Sequence, residues 1–155
     1  MNFIWTTDLT STTYHDALAV RKEVFIVGQG VDAAIEIDAL ESSTEHVTGY
    51  LNGEPVAAAR LNRIQNDTYK VQRVAVLSTY RGQHLGEKLM QEIERYAIEN
   101  DVANLVLGAQ DHAIGFYEKL GYTVDGDGFM EANIPHHMMR KQKTKQNCLV
   151  FLFPF

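Results

Sequence analysis

A chain of 155 residues has the length of one domain, and with 45% hydrophobic and 22% charged residues it can bury a core, which excludes disorder, collagen and coiled coil. Its 14 Lys and Arg oppose 20 Asp and Glu; four of the positives fall at residues 140–145 with no acid after them, so residues 1–139 carry −10 and suit phosphate backbones poorly. Nucleic acid is not an expected ligand.

The first residues, MNFIWTTDLT, lack the basic and apolar regions of a secretory leader. No run reaches the roughly 20 apolar residues of a membrane span, so a cytoplasmic location is expected. Residues 2–7 (NFIWTT) predict a first strand and residues 8–13 a turn and cap. A helix from about Thr13 follows, with Tyr14, Leu18, Val24 and Phe25 mostly at helical spacing and Gly28 and Gly30 as its stop. Residues 32–45 hold five acids and no base (Asp32, Glu36, Asp38, Glu41, Glu45), an acidic connection with room for a short helix.

At His46 the period changes. HVTGYL, an Asn52-Gly53 turn, PVAAARLNRI, a turn at Asn66-Asp67 and TYKVQRVAVL predict three antiparallel strands in a meander. Residues 82–100 return to helical spacing, with Leu85, Leu89, Ile93, Tyr96 and Ala97 in one stripe. NLVLGA (104–109) reads as a buried strand, residues 112–120 as a helix closed by Gly121, and residues 122–124 and 137–140 as two last strands. The order β-α-α-β-β-β-α-β-α-β-β predicts an α/β fold, an α+β mixed sheet with helices on both faces, as one domain over residues 1–141 with a tail at 142–155.

Two glycine-rich stretches compete for a phosphate. Gly28-Gln29-Gly30-Val31-Asp32-Ala33 fits G-x-G-x-x-A and would mark a dinucleotide site if the preceding VFIV were a strand. Residues 14–27 instead carry a helical pattern, acids follow where a pyrophosphate would approach, and HVTGYL does not end in the acid that would hold a ribose. The second stretch, Arg81-Gly82-Gln83-His84-Leu85-Gly86, lies between the strand VQRVAVL and the striped helix. Successive backbone N–H groups at a helix N-terminus cradle an anion, glycines admit it closely, and Arg81 adds a charge-assisted bond. It is not a Walker A loop, because Gly82 and Gly86 stand too close and no Gly-Lys-Ser/Thr follows.

RVAVLSTYRGQHLGEKLM and NLVLGAQDHAIGFYEKLGY together resemble the GNAT (Gcn5-related) N-acetyltransferase superfamily. VRKEVFIVGQGV, EID, the His46 strand, LGAQ, AIGFYEKLGY and NIPHHMM are similar to its ElaA/YjcF-like branch, over residues 14–140, although Gly28-Gln29 stands where that branch more often has Glu-Gln. The resemblance implies the GNAT acyl-CoA N-acyltransferase fold and transfer of an acetyl group from acetyl-CoA, as co-substrate, to an amine of a small molecule or peptide. It implies that Val74, Ala75 and Val76 offer their backbone to the pantetheine arm and that Arg81, Gly82, Gln83, His84, Leu85 and Gly86 hold the pyrophosphate. His84 replaces the middle glycine of the family pattern Gln/Arg-x-x-Gly-x-Gly/Ala.

The resemblance also implies that Tyr117 protonates the departing thiolate. A phenol near 10 can return a proton to a thiolate whose conjugate acid lies near 8.5. Direct attack by a neutral amine, with a backbone N–H such as that of Val76 on the oxyanion, needs no covalent enzyme intermediate. The sequence has no G-x-S-x-G elbow, and its single cysteine, Cys148, lies in the tail and excludes an intramolecular disulfide.

The base that takes the ammonium proton stays open among Glu36, Asp38, Glu131, His136 and His137. The acidic run is either an attractor for a cationic amine or a solvated loop. Metal is not expected, since adjacent strand residues such as His136 and His137 face opposite ways and no H-E-x-x-H or cysteine partner accompanies them. The tail, RKQKTKQN then CLVFLFPF, is too short to span a bilayer and is expected to dock on a sheet edge or a second subunit as a homodimer, with a membrane tether as the other option. Two further function classes stand beside the acetyltransferase: an acyl-CoA-binding module without turnover, and a dinucleotide-binding enzyme using Gly28 and Gly30.

Overall fold

The computed structural model describes residues 1–142. The expected docking of the tail from residue 143, Cys148 included, lies outside the described residues. The chain forms two compact units, one of Met1–Asn62 with Val71–Glu92, the other of Arg63–Lys70 with the chain from Ile93.

In the first unit β1 (Asn2–Thr6) pairs antiparallel with β2 (Glu45–Leu51), and β2 with β3 (Glu54–Gln65); Trp5 lies opposite Val47, and Val47 opposite Ala59. β4 (Thr68–Val76) completes the order β1-β2-β3-β4. The β2–β3 turn is Asn52-Gly53, at φ 53° and 82°, the left-handed pair that a two-residue hairpin needs to follow the strand twist. Every residue from Val56 to Leu61 is buried, so β3 is covered on both faces.

The covers are helices. Ser11 caps α1 (Thr12–Arg21) by accepting from the Tyr14 amide, and the α1 stripe continues past Arg21, so that Ala17, Val20 and Val24 pack with Ala58 and Ala75. On the other face Trp5 donates its indole N–H to Glu92 of α3 (Leu85–Glu99) at 3.0 Å. Helices therefore lie on both faces of this unit's strands, as expected.

The first helix does not reach Gly28 in α form. Residues Lys22–Val27 widen into a π turn in which the Gly28 amide donates to the Glu23 carbonyl at 2.9 Å. The run VFIV is thus helical, and the G-x-G-x-x-A stretch lacks the preceding strand that a dinucleotide site requires. A Cβ at Gly28 would stand 2.6 Å from the Val24 carbonyl oxygen, which explains the glycine by packing alone. The acidic connection holds α2 (Ala33–Glu36) and a 3₁₀ turn, Ala39–Ser43.

In the second unit β5 (Asn104–Gln110) pairs antiparallel with β8 (Ile134–Gln142) from Asn104 opposite Gln142 to Gln110 opposite His136. β6 (Thr123–Val124) and β7 (Phe129–Glu131) line the other side of β8. β7 is not foreseen in the sequence, and β8 is longer at both ends than the expected strand at 137–140. The helix α4 (Ile114–Lys119), entered through the turn Asp111–Ala113, is closed by Gly121 at φ 95°. Lys141 anchors this region: its ammonium reaches Glu94 at 2.6 Å and the Leu120 carbonyl, and it lies 5.8 Å above the Tyr122 ring. No helix among the described residues is long and apolar enough to cross a membrane.

Candidate active site

β4 carries a kink just before the residues expected to meet the pantetheine arm. Arg73 sits at φ 56°, in the left-handed region, within a strand. Val74 and Val76 follow half-buried, with Ala75 buried between them. The chain then passes through the turn Ser78–Tyr80 to the loop at 81–84, where Arg81, Gly82, Gln83 and His84 are all exposed. Gly82 holds φ 84° and a Cβ there would meet nothing within 4 Å, so the backbone is open to an approaching group. The His84 carbonyl accepts from the Lys88 amide at 3.1 Å, so His84 stands at the mouth of α3 with the first amides of the helix beyond it. His84 itself has φ 61°, the conformation in which a glycine costs nothing.

The kink in β4 is held by an ion network that the sequence reading does not anticipate. Arg73 Nε lies 2.9 Å from Glu36 Oε2, and its Nη2 lies 3.3 Å from Asp38 Oδ2. Arg21, fully buried, binds Glu36 Oε1 at 2.9 Å and Glu41 Oε1 at 2.8 Å. Arg60, also fully buried, binds Glu41 and holds both oxygens of Asp38 at 2.8 and 2.9 Å. Tyr14 donates to Glu41 at 2.8 Å, and burial together with that carboxylate pushes its phenol up to about 12. Three guanidiniums thus neutralise three carboxylates, each made tolerable in the interior by its partners.

This geometry bears on two expectations. Glu36 and Asp38, candidate bases, each contact two arginines. The hydrogen bonds from Arg60 hold Asp38 at about 2, too weak a base to take a proton from an ammonium. Burial pushes the Glu36 carboxyl up against the pull of Arg21 and Arg73. Glu36, Asp38 and Glu41 of the acidic run are each paired with arginine. Beneath the network His46 is fully buried, its Nε2 2.9 Å from the Glu41 carbonyl, and burial draws its basicity down.

The remaining candidates lie in the second unit. Tyr117 is buried on α4 edge-on to Phe116 and Tyr122, at 5.0 and 5.8 Å between ring centres, and burial pushes its phenol up to about 12. His136 and His137 do point to opposite faces of β8. His137 Nδ1 meets Asp111 Oδ1 at 2.7 Å on the side of α4. His136, on the other side, is buried flat against Phe129 and has Glu131 beside it. Among the described residues no group of three or more His, Cys, Asp or Glu is arranged to hold a metal.

Residues 10–143 match the model of the acetyltransferase (GNAT) domain, and the chain belongs to that family. It is 39% identical over 127 residues to the uncharacterised N-acetyltransferase YjcF of Bacillus subtilis strain 168, covering 81% of this chain and 90% of the relative. Among solved structures it is similar to an acyl-CoA N-acyltransferase from Pseudomonas aeruginosa, with TM-score 0.78 and 29% identity over 91% of this chain and 99% of that one. It is likewise similar to Escherichia coli ElaA, with TM-score 0.76 and 26% identity over 90% and 99%. These likenesses bear out the resemblance and the expected α/β fold. The protein is an acyl-CoA-dependent N-acyltransferase that carries an acetyl group to an amine.

Proposed function

We propose that the chain takes its acetyl group from acetyl-CoA and passes it directly to the amine of a small molecule or peptide. The observation that carries this reading is the run from β4 to α3: a kinked strand, then a loop with Gly82 and His84 at positive φ, then the first amides of a 15-residue helix. Arg81 and the amides of residues 82–86 would take the pyrophosphate. Val74, Ala75 and Val76 would pair with the pantetheine arm as with an added strand. Bound acetyl-CoA supplies the activated thioester; the chain supplies orientation, an oxyanion donor from the Val76 amide and a proton from Tyr117. Burial pushes the Tyr117 phenol up to about 12, so it is protonated through the neutral range and is a weaker donor than a free phenol. The single cysteine supports a reducing compartment, and we place the protein in the cytoplasm on that basis.

Calorimetric titration with acetyl-CoA, beside NAD and an Arg81→Ala variant, tests the reading. Binding of acetyl-CoA but not NAD is expected, weakened about tenfold or more in the variant. Thiol release in the presence of an amine panel then reports turnover. Well-folded protein that fails to bind acetyl-CoA would overturn the assignment of the loop.

A further inference from the structure

His136 lies at the carboxyl end of β5, opposite Gln110, where the chain turns off toward α4 and Tyr117. The residue is 7% exposed and its ring is stacked on Phe129, with centroids 5.6 Å apart and planes 20° apart, so its orientation is fixed. Nδ1 stands 2.6 Å from the Ile134 carbonyl. A carbonyl can only accept, so Nδ1 carries the hydrogen, and the neutral ring keeps its lone pair on Nε2.

That lone pair faces a carboxylate. Glu131 Oε2 is 3.8 Å from Nε2, and a Cβ on Gly108 of β5 would be 3.9 Å from the same oxygen, so the carboxylate lies close over the strand. A lone pair and a carboxylate repel each other; they attract only when Nε2 has gained a proton. A cation entering between Nε2 and Glu131 Oε2 would therefore meet two acceptors. On the described structure the charged group facing His136 from a neighbouring strand is Glu131 of β7; on β8 itself Arg140 is paired with Asp125 at 2.6 Å, and Asp111 meets His137 on the opposite face.

Resting on the acetyltransferase reading above, we propose that His136 Nε2 is the proton acceptor for the incoming ammonium and that Glu131 is its counter-ion. The ammonium has three protons. One passes to Nε2 and leaves the nitrogen lone pair free to attack the thioester carbonyl, forming C–N as C–S breaks. The second is lost from nitrogen as the amide forms and replaces the proton that Tyr117 gives the thiolate. The third stays on the amide, and the imidazolium returns its proton to solvent, so the reaction yields amide, CoA thiol and one free proton. Glu131 acts through His136 and is a positioning residue.

The test is the pH profile of kcat/KM for wild type, His136→Asn and Glu131→Gln, with acetyl-CoA affinity measured calorimetrically for each. Asparagine keeps a donor for the Ile134 carbonyl but removes Nε2. His136→Asn should lose about 100-fold at neutral pH, bind acetyl-CoA as wild type does, and regain rate at high pH where the amine is already neutral. Glu131→Gln should lower kcat/KM at neutral pH while leaving acetyl-CoA affinity and Tm as in wild type. Full activity of His136→Asn at neutral pH would overturn the proposal, and so would an equal loss at every pH with a fallen Tm, which marks a structural role. Wild type that binds no acetyl-CoA would overturn the underlying reading instead.

Discussion

The guanidinium of Arg73 meets the carboxylate of Glu36 at 2.9 Å while the Arg73 backbone stands at φ 56° inside β4. A non-glycine residue keeps that conformation only when its surroundings hold it, and here Glu36 and Asp38 hold it from the acidic connection. The segment that the sequence presents as an acidic connection is thus the brace of β4 at Arg73.

Arg73→Gln should therefore show two effects. It leaves a buried carboxylate with one partner fewer, and the loss should be about 3 kcal/mol in urea unfolding. It should also weaken acetyl-CoA binding, because Val74, Ala75 and Val76 follow the kink. Lowered stability with unchanged affinity, read by calorimetry, would separate the kink from the cofactor.

Acid should loosen the same network. Asp38 sits at about 2 when folded, chiefly through the hydrogen bonds from Arg60, against roughly 3.9 for a free aspartate. A depressed folded value contributes stability that is complete above the unfolded value and fades as pH falls through about 4 toward 2. The urea midpoint should drop across that window, and Asp38→Asn, weaker at neutral pH, should drop less steeply. Parallel profiles for the two proteins would contradict this assignment.

His84 occupies a left-handed position at φ 61° without the freedom of glycine. His84→Gly should raise stability by about 1 kcal/mol while keeping the amide cradle and acetyl-CoA affinity. A thermal melt that moves downward would show that the imidazole, 3.3 Å from Glu87, contributes more than its backbone costs.

Tyr117→Phe should cut kcat by about 100-fold and leave acetyl-CoA affinity in place. Because burial holds the phenol at about 12, the wild-type rate should show no decline from its ionisation below about pH 11. A basic limb near the ordinary tyrosine value, absent in the phenylalanine variant, would contradict a buried acid.

The elements that position the site are legible where local chemistry marks them. The Asn52-Gly53 turn announces the β2–β3 hairpin, and the α3 stripe is plain, with Leu85, Leu89, Ile93 and Ala97 all buried. Gly82 between a strand and a helix marks the loop. β7 is missed because its turn to β8 is Ala132-Asn133, at φ 50° and 61°, without the glycine that advertises such a turn. Nor does any local pattern reveal the kink at Arg73, since arginine has no preference for it. The ion network escapes notice for a tertiary reason: Arg21, Arg60 and Arg73 come from a helix and two strands, and only folding brings them to Glu36, Asp38 and Glu41.

The π turn at Lys22–Val27 has a consequence for chain length. A π turn winds one more residue into its loop than an α turn does. Removing one residue there lets the chain close ordinary α-helical bonds while both flanks keep their places; adding one finds no slack to enter. Tolerance of insertions and deletions at this point runs in one direction, and the first helix can be shortened by a residue without re-registering the strands that follow.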